Sequence, residues 1–149
     1  MLMAHNTLAL GALSSLAGYH LRRAFGAFAL DFQDAMKGTG MRQVLVGILS
    51  IIEANPGVNQ GAVGTALGIK RANMVSLINE LVDAGLVARE VSPGDRRAFS
   101  LTLTDAGKAM RKDCTRRIEA HEAQMLADLS PEERTLLLDL LGRIAAKRA

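Results

Sequence analysis

The sequence predicts a mainly α fold with one small β-hairpin past its midpoint, on three observations. Apolar residues recur at steps of three and four over long stretches at both ends of the chain, the pattern of amphipathic helices. Two shorter helical stretches meet at a glycine between residues 60 and 84. Two strand-like runs then flank a loop rich in turn formers and arginine. The chain has 149 residues, 49% hydrophobic, 22% charged and 3% aromatic. That is the balance of one globular domain, long enough to bury about two thirds of its unfolded surface without disulfides or metal.

Each element has a local reason. Leu10, Leu13, Ala17, Leu21, Ala24 and Phe28 fall on one stripe of a first helix of about seven turns. It is expected to end between Asp31 and Gly40, where Gly38-Thr39-Gly40 supplies a breaker and an N-cap for the run Met41, Val44, Leu45, Ile48, Leu49, Ile52. Asn55-Pro56-Gly57 stops that second helix, since proline lacks the amide a continuing helix needs. Helices over about Gln60 to Leu67 and Arg71 to Ala84, joined through Gly68, suggest a helix-turn-helix. The second carries Met74, Leu77, Ile78 and Leu81 on one face. Leu86 to Val91 and Ala98 to Leu103 read as the two strands of a hairpin tipped by Ser92-Pro93-Gly94-Asp95-Arg96-Arg97. Thr104 can cap a long helix on which Met110, Cys114, Ile118, His121, Met125 and Leu129 keep helical spacing. Ser130-Pro131-Glu132-Glu133 is a capping box opening a last helix with Leu136, Leu137, Leu140, Leu141 and Ile144.

Composition excludes several classes of function. The single Cys114 rules out an intramolecular disulfide and any site needing several cysteine ligands, and fits a reducing cytoplasm. The apolar stretch Leu8 to Tyr19 is too short to span a bilayer. With no Lys or Arg in residues 1 to 7 it does not read as a signal peptide, so a cytoplasmic protein is expected. There is no G-x-x-x-x-G-K-[ST] loop, no H-E-x-x-H and no G-x-S-x-G elbow, so neither an enzyme nor a cofactor is expected. His5, His20 and His121 lack metal-ligand spacing.

Leu67-Gly68-Ile69, Gly85-Leu86-Val87-Ala88-Arg89, Asp95-Arg96-Arg97 and Leu103-Thr104-Asp105-Ala106-Gly107 stand in the order and spacing of the MarR family of transcriptional regulators, which this sequence resembles over roughly residues 60 to 107. The resemblance implies a winged helix-turn-helix with long N- and C-terminal dimerisation helices. Residues 1–38 and 104–149 would form the dimerisation helices and residues 39–103 the DNA-binding unit, in one continuous fold. The leucine stripes of the outer helices independently ask for burial against each other or a second subunit. A two-fold dimer would present two recognition helices to half-sites roughly 34 to 36 Å apart.

In such docking the start of the recognition helix enters the major groove of double-stranded DNA. Here that is Lys70, Arg71, Asn73 and Met74, with Ser76 a turn along. Arg71 offers the two-point geometry for guanine and Asn73 that for adenine. Lys70 and Ser76 suit phosphates. The resemblance assigns Arg97 to the minor groove, oriented by Asp95, and Arg96 can add a phosphate contact. Net charge contributes little: residues 61–103 hold Lys70, Arg71, Arg89, Arg96 and Arg97 against Glu80, Asp83, Glu90 and Asp95, a balance of +1. Placement must supply the attraction. Two features depart from the family pattern. Ser76 and Glu80 stand where many members are basic, and Gly61 and Gly64 cost about 1 kcal/mol each against alanine, suggesting a mobile first helix in the motif.

The resemblance also implies an effector cavity between the dimer helices and the DNA-binding unit. Tyr19, His20, Arg23 and Arg42 are the expected set for a small aromatic acid or an aromatic acyl-CoA, with interface packing as the plain alternative for the Tyr-His pair. Arg111, Lys112, Arg116 and Arg117 form a second basic cluster, exposed to solvent or to phosphate. Cys114, at an apolar step, is expected to be a buried structural thiol. The function expected is a sequence-specific repressor released from a pseudo-palindromic operator by such an effector. The alternative is an architectural or protein-interaction winged helix without one.

Overall fold

The computed structural model describes residues 8–92 and 94–148, with the side chains of 92 and 95–98 outside that description. The chain runs as α1 (Ala17–Ala35), α2 (Gln43–Ala54), β1 (Val58–Asn59), α3 (Gln60–Leu67), α4 (Arg71–Asp83), β2 (Val87–Ser92), β3 (Asp95–Leu103), α5 (Asp105–Met125) and α6 (Pro131–Ala145). The strands form an antiparallel sheet in the order β1-β3-β2. The fold is mainly α with a small β wing, as expected. Among the described residues no helix is long and apolar enough to cross a membrane.

Three local expectations change. The first helix is broken: Gly11–Ser15 forms a 3-10 turn, Leu16 is extended, and only then does α1 begin. The hydroxyls of Ser14 and Ser15 donate to the carbonyls of Gly11 and Ala12 at 2.9 and 3.2 Å, an alternative to the helical ladder. Thr39 does not cap α2. Its hydroxyl donates to the Met36 carbonyl at 2.6 Å and accepts from the Met41 amide at 3.0 Å, closing the turn, while the cap position is Arg42. The hairpin gains a third strand, because Val58 and Asn59 pair with Leu101 and Ser100. Two residues are too few to show alternation, so β1 has no signature of its own.

The core lies where α2 crosses the helix-turn-helix. Ile48, Leu49 and Ile52 meet Val63, Met74, Ile78, Leu81, Leu101 and Cys114, all buried, each stabilising by about 1.5–3 kcal/mol if fully withdrawn from water. Two glycines let elements approach. A Cβ at Gly64 of α3 would lie 2.8 Å from Met74 Cγ, and one at Gly107 of α5 would lie 2.0 Å from the Leu86 carbonyl oxygen. Gly64 therefore marks a helix packed close against α4, which replaces the expectation of a mobile one. Thr104 caps α5 through the Gly107 amide at 3.0 Å and donates to the Gly85 carbonyl at 2.6 Å, fastening α5 to the end of α4.

The outer helices are differently placed. The capping box of Ser130 and Glu133 is present at the start of α6. Yet α6 has no fully buried residue: Leu136, Leu138, Leu140, Leu141 and Ile144 are exposed, as are Leu21, Phe25 and Leu30 of α1.

Candidate functional site

The turn before α4 is set by Gly68, at φ +67°, a left-handed conformation that glycine adopts freely. The Ile69 amide returns to the Gly64 carbonyl at 2.8 Å, so the chain re-emerges pointing away from the core. Lys70, Arg71, Asn73 and Ser76 are exposed at and near the helix start. There the helix dipole and free amides favour an anion, and the two cations add to that field. Met74 is corrected. It is 1% exposed and packs on Gly64, so it belongs to the core and cannot reach a base edge.

Glu80 is not a free negative charge on α4. The Arg42 guanidinium donates to both its carboxylate oxygens, at 2.7 and 2.8 Å, in a two-pronged pair between the start of α2 and the recognition helix. Hydrogen bonding to Arg42 holds the Glu80 carboxyl below its ordinary range, and the same bond raises Arg42. On the wing, Arg89 lies 5.2 Å over the Phe99 ring and donates to Asn79 Oδ1 of α4 at 2.8 Å. The hairpin is thereby tied to the recognition helix. Asp95, Arg96 and Arg97 have β3 backbone, leaving the tip of the wing, but their side chains lie outside the described residues.

A cavity of about 650 Å³ opens between α1, α2, α5 and α6. Its wall is apolar over Leu21, Phe25, Phe28, Phe32, Val46, Ile118 and Leu137, with Gln43, Ser50, His121 and Glu122 as polar members. His121 is buried on α5. Its Nδ1 is hydrogen-bonded to Asp31 of α1, and the rings of Phe28 and Phe32 meet it edge-on at 5.3 and 5.9 Å. Sequence spacing groups it with the apolar face of α5 rather than with the effector residues. The available signal was a polar side chain within the apolar spacing of α5.

The expected effector residues are not gathered around that cavity. Tyr19 and His20 are set edge to face at 5.2 Å, with His20 Nε2 on the Ser14 carbonyl at 2.9 Å. Arg23 borders a separate concavity with Arg22 and Gln33 on the opposite flank of α1, and Arg42 is engaged by Glu80. The second basic cluster is largely paired within the chain. Arg111 pairs with Glu53, while Arg116 and Arg117 share Asp113. Arg117 also donates to the Ala35 carbonyl at 3.1 Å, at the end of α1. Burial pushes the Cys114 thiol up from its ordinary value, the opposite of what a reactive thiolate needs. Among the described residues no three His, Cys, Asp or Glu side chains cluster to hold a metal.

Comparison with known proteins gives a consistent picture. Residues 42–98 match the model of the MarR family. A Thauera aromatica protein assigned as transcriptional regulator of the hcr operon is 33% identical over 135 residues, 90% of this chain and 81% of that protein. The repressor CouR bound to a 23-mer DNA duplex superposes with a TM-score of 0.89 at 36% identity, over 93% of this chain and 99% of that one. CouR has also been solved bound to p-coumaroyl-CoA, with a TM-score of 0.82 at 34% identity, over 93% and 98% of the two chains. The PcaV regulator of Streptomyces coelicolor, in complex with its natural ligand, is similar at a TM-score of 0.85 and 27% identity, over 93% and 98%.

Proposed function

The chain belongs to the MarR family of transcriptional regulators, and on that footing we propose that it is a homodimeric repressor released from a pseudo-palindromic operator by a small aromatic acid or its CoA thioester. Arg71 and Asn73 of each subunit read bases in the major groove, with Lys70 and Ser76 on phosphates. Arg97, oriented by Asp95, enters the minor groove beside Arg96. The exposed leucines of α1 and α6 pack against a second subunit.

One observation carries the effector half of this reading. The cavity is walled by α1, α5 and α6 on one side and by Gln43, Val46 and Ser50 of α2 on the other, and α2 is tied through Arg42 and Glu80 to the recognition helix. A ligand seated there touches both the outer helices and the element that carries the reading head. It lowers operator affinity to the extent that it prefers the arm geometry unsuited to DNA. CouR, solved with p-coumaroyl-CoA, supports the ligand class, and PcaV, solved with its natural ligand, supports a ligand-responsive regulator.

Fluorescence anisotropy on duplexes from upstream of the protein's own gene, against scrambled DNA at physiological salt, tests this reading. Specific binding about a thousandfold tighter, relieved by aromatic acids or their thioesters, is the expected result. Equal weak binding to both duplexes would overturn it in favour of an architectural or protein-interaction module.

A further inference from the structure

His121 is an unusual member of an apolar wall. Its side chain is 3% exposed, yet it is a polar ring clamped between Phe28 and Phe32. Nδ1 is taken by Asp31, a carboxylate that is itself 34% exposed. Nε2 has no hydrogen-bond partner among the described residues, and the ring that carries it lines the cavity. A ligand that fills the chamber and displaces water from that atom incurs a cost unless it supplies a hydrogen-bond partner.

We infer that His121 is the specificity-determining residue of the cavity and that it selects effectors carrying a ring hydroxyl. The argument is one of tautomers. A carboxylate only accepts hydrogen bonds, so Asp31 keeps the imidazole proton on Nδ1. In the tautomer so fixed Nε2 is the acceptor nitrogen, and its complement is an O–H donor. A phenolic hydroxyl on a flat ring that fits between Phe25, Phe28 and Leu137 meets that need. An ether or an unsubstituted ring at the same place leaves Nε2 unpaired. Asp31 acts through His121 and is a positioning residue. This inference rests on the reading that the cavity takes an aromatic effector, and it narrows the class to phenols.

The test is titration calorimetry of the full-length protein with 4-hydroxycinnamoyl, 4-methoxycinnamoyl and unsubstituted cinnamoyl thioesters of coenzyme A and with the three free acids, alongside operator release by each. The hydroxylated probe is expected to bind about tenfold or more tighter than either analogue, the scale of one buried hydrogen bond. His121→Phe keeps the ring contacts and should erase that ratio. Asp31→Asn, whose amide can meet Nδ1 as donor or acceptor, no longer dictates the tautomer. It should narrow the ratio while binding persists, a change that loss of structural support alone would not produce. Equal affinities in the unmodified protein, a preference for the methoxy probe, or a ratio untouched by both substitutions would overturn the inference and leave the effector reading standing. Binding of none of the probes, with no operator release, would overturn both.

Discussion

Met74 and Arg71 stand three residues apart at the start of one helix and answer to different partners. Helical spacing already put Met74 in the apolar stripe with Ile78 and Leu81, while its place near the helix start suggested DNA. The stripe prevails because the Met74 side chain packs into the space that Gly64 leaves open. Met74→Ala should therefore cost about 2–5 kcal/mol of stability, read as a lower urea midpoint. Arg71→Ala should leave that midpoint unchanged and weaken operator binding by about tenfold or more, as loss of a two-point base contact would. The last glycine of the family motif has an equally direct test. Gly107→Ala would drive a methyl into the Leu86 carbonyl, 2.0 Å away, and overpacking against backbone should cost about 3 kcal/mol in the same assay.

Between elements, the attachments of the recognition helix govern how it is presented. It is held by Arg42 on α2 and, through Asn79, by Arg89 on the wing. In Arg42→Ala the Glu80 carboxylate would stand uncompensated on a helix that approaches phosphates, so operator affinity should fall more than stability does. Adding Glu80→Gln to that variant should recover much of the loss, and anisotropy at two salt concentrations checks both effects. The pH dependence has a definite sign. The folded-state pKa of Glu80 is depressed, chiefly by its hydrogen bond to Arg42, so the pair's contribution is complete above the ordinary carboxylate range. It is lost only as pH falls through the lowered value. Arg42, expected from sequence to meet an effector, is drawn instead to a carboxylate 38 residues away, a pairing that no local pattern announces.

For the whole molecule, the exposed leucines of α1 and α6 are the dominant fact. A helix such as α6, with no fully buried residue in this chain, gains little from intrinsic propensity alone and needs a packed face. In the proposed dimer that face is the partner. Leu136→Glu combined with Leu140→Glu should give a monomer by analytical ultracentrifugation. Operator affinity should collapse with it, because two half-sites are then no longer bridged.

Most of what neighbours within a turn or two encode was legible in the sequence, the break before α1 and the Thr39 turn excepted. That covers the helical stripes, the Ser130 capping box, the Gly68 and Gly85 turns, the motif order that marks the family, and the exposed polar start of α4. Only the tertiary structure decided the contacts between distant segments. These are the pairing of β1 with β3, the burial of Met74, the Arg42–Glu80 latch, and the meeting of His121 with Asp31 across 90 residues of chain. Periodicity and capping depend on neighbours one turn away. A cavity depends instead on how whole helices cross, which fixes which side chains share a wall and which polar atom is left facing it.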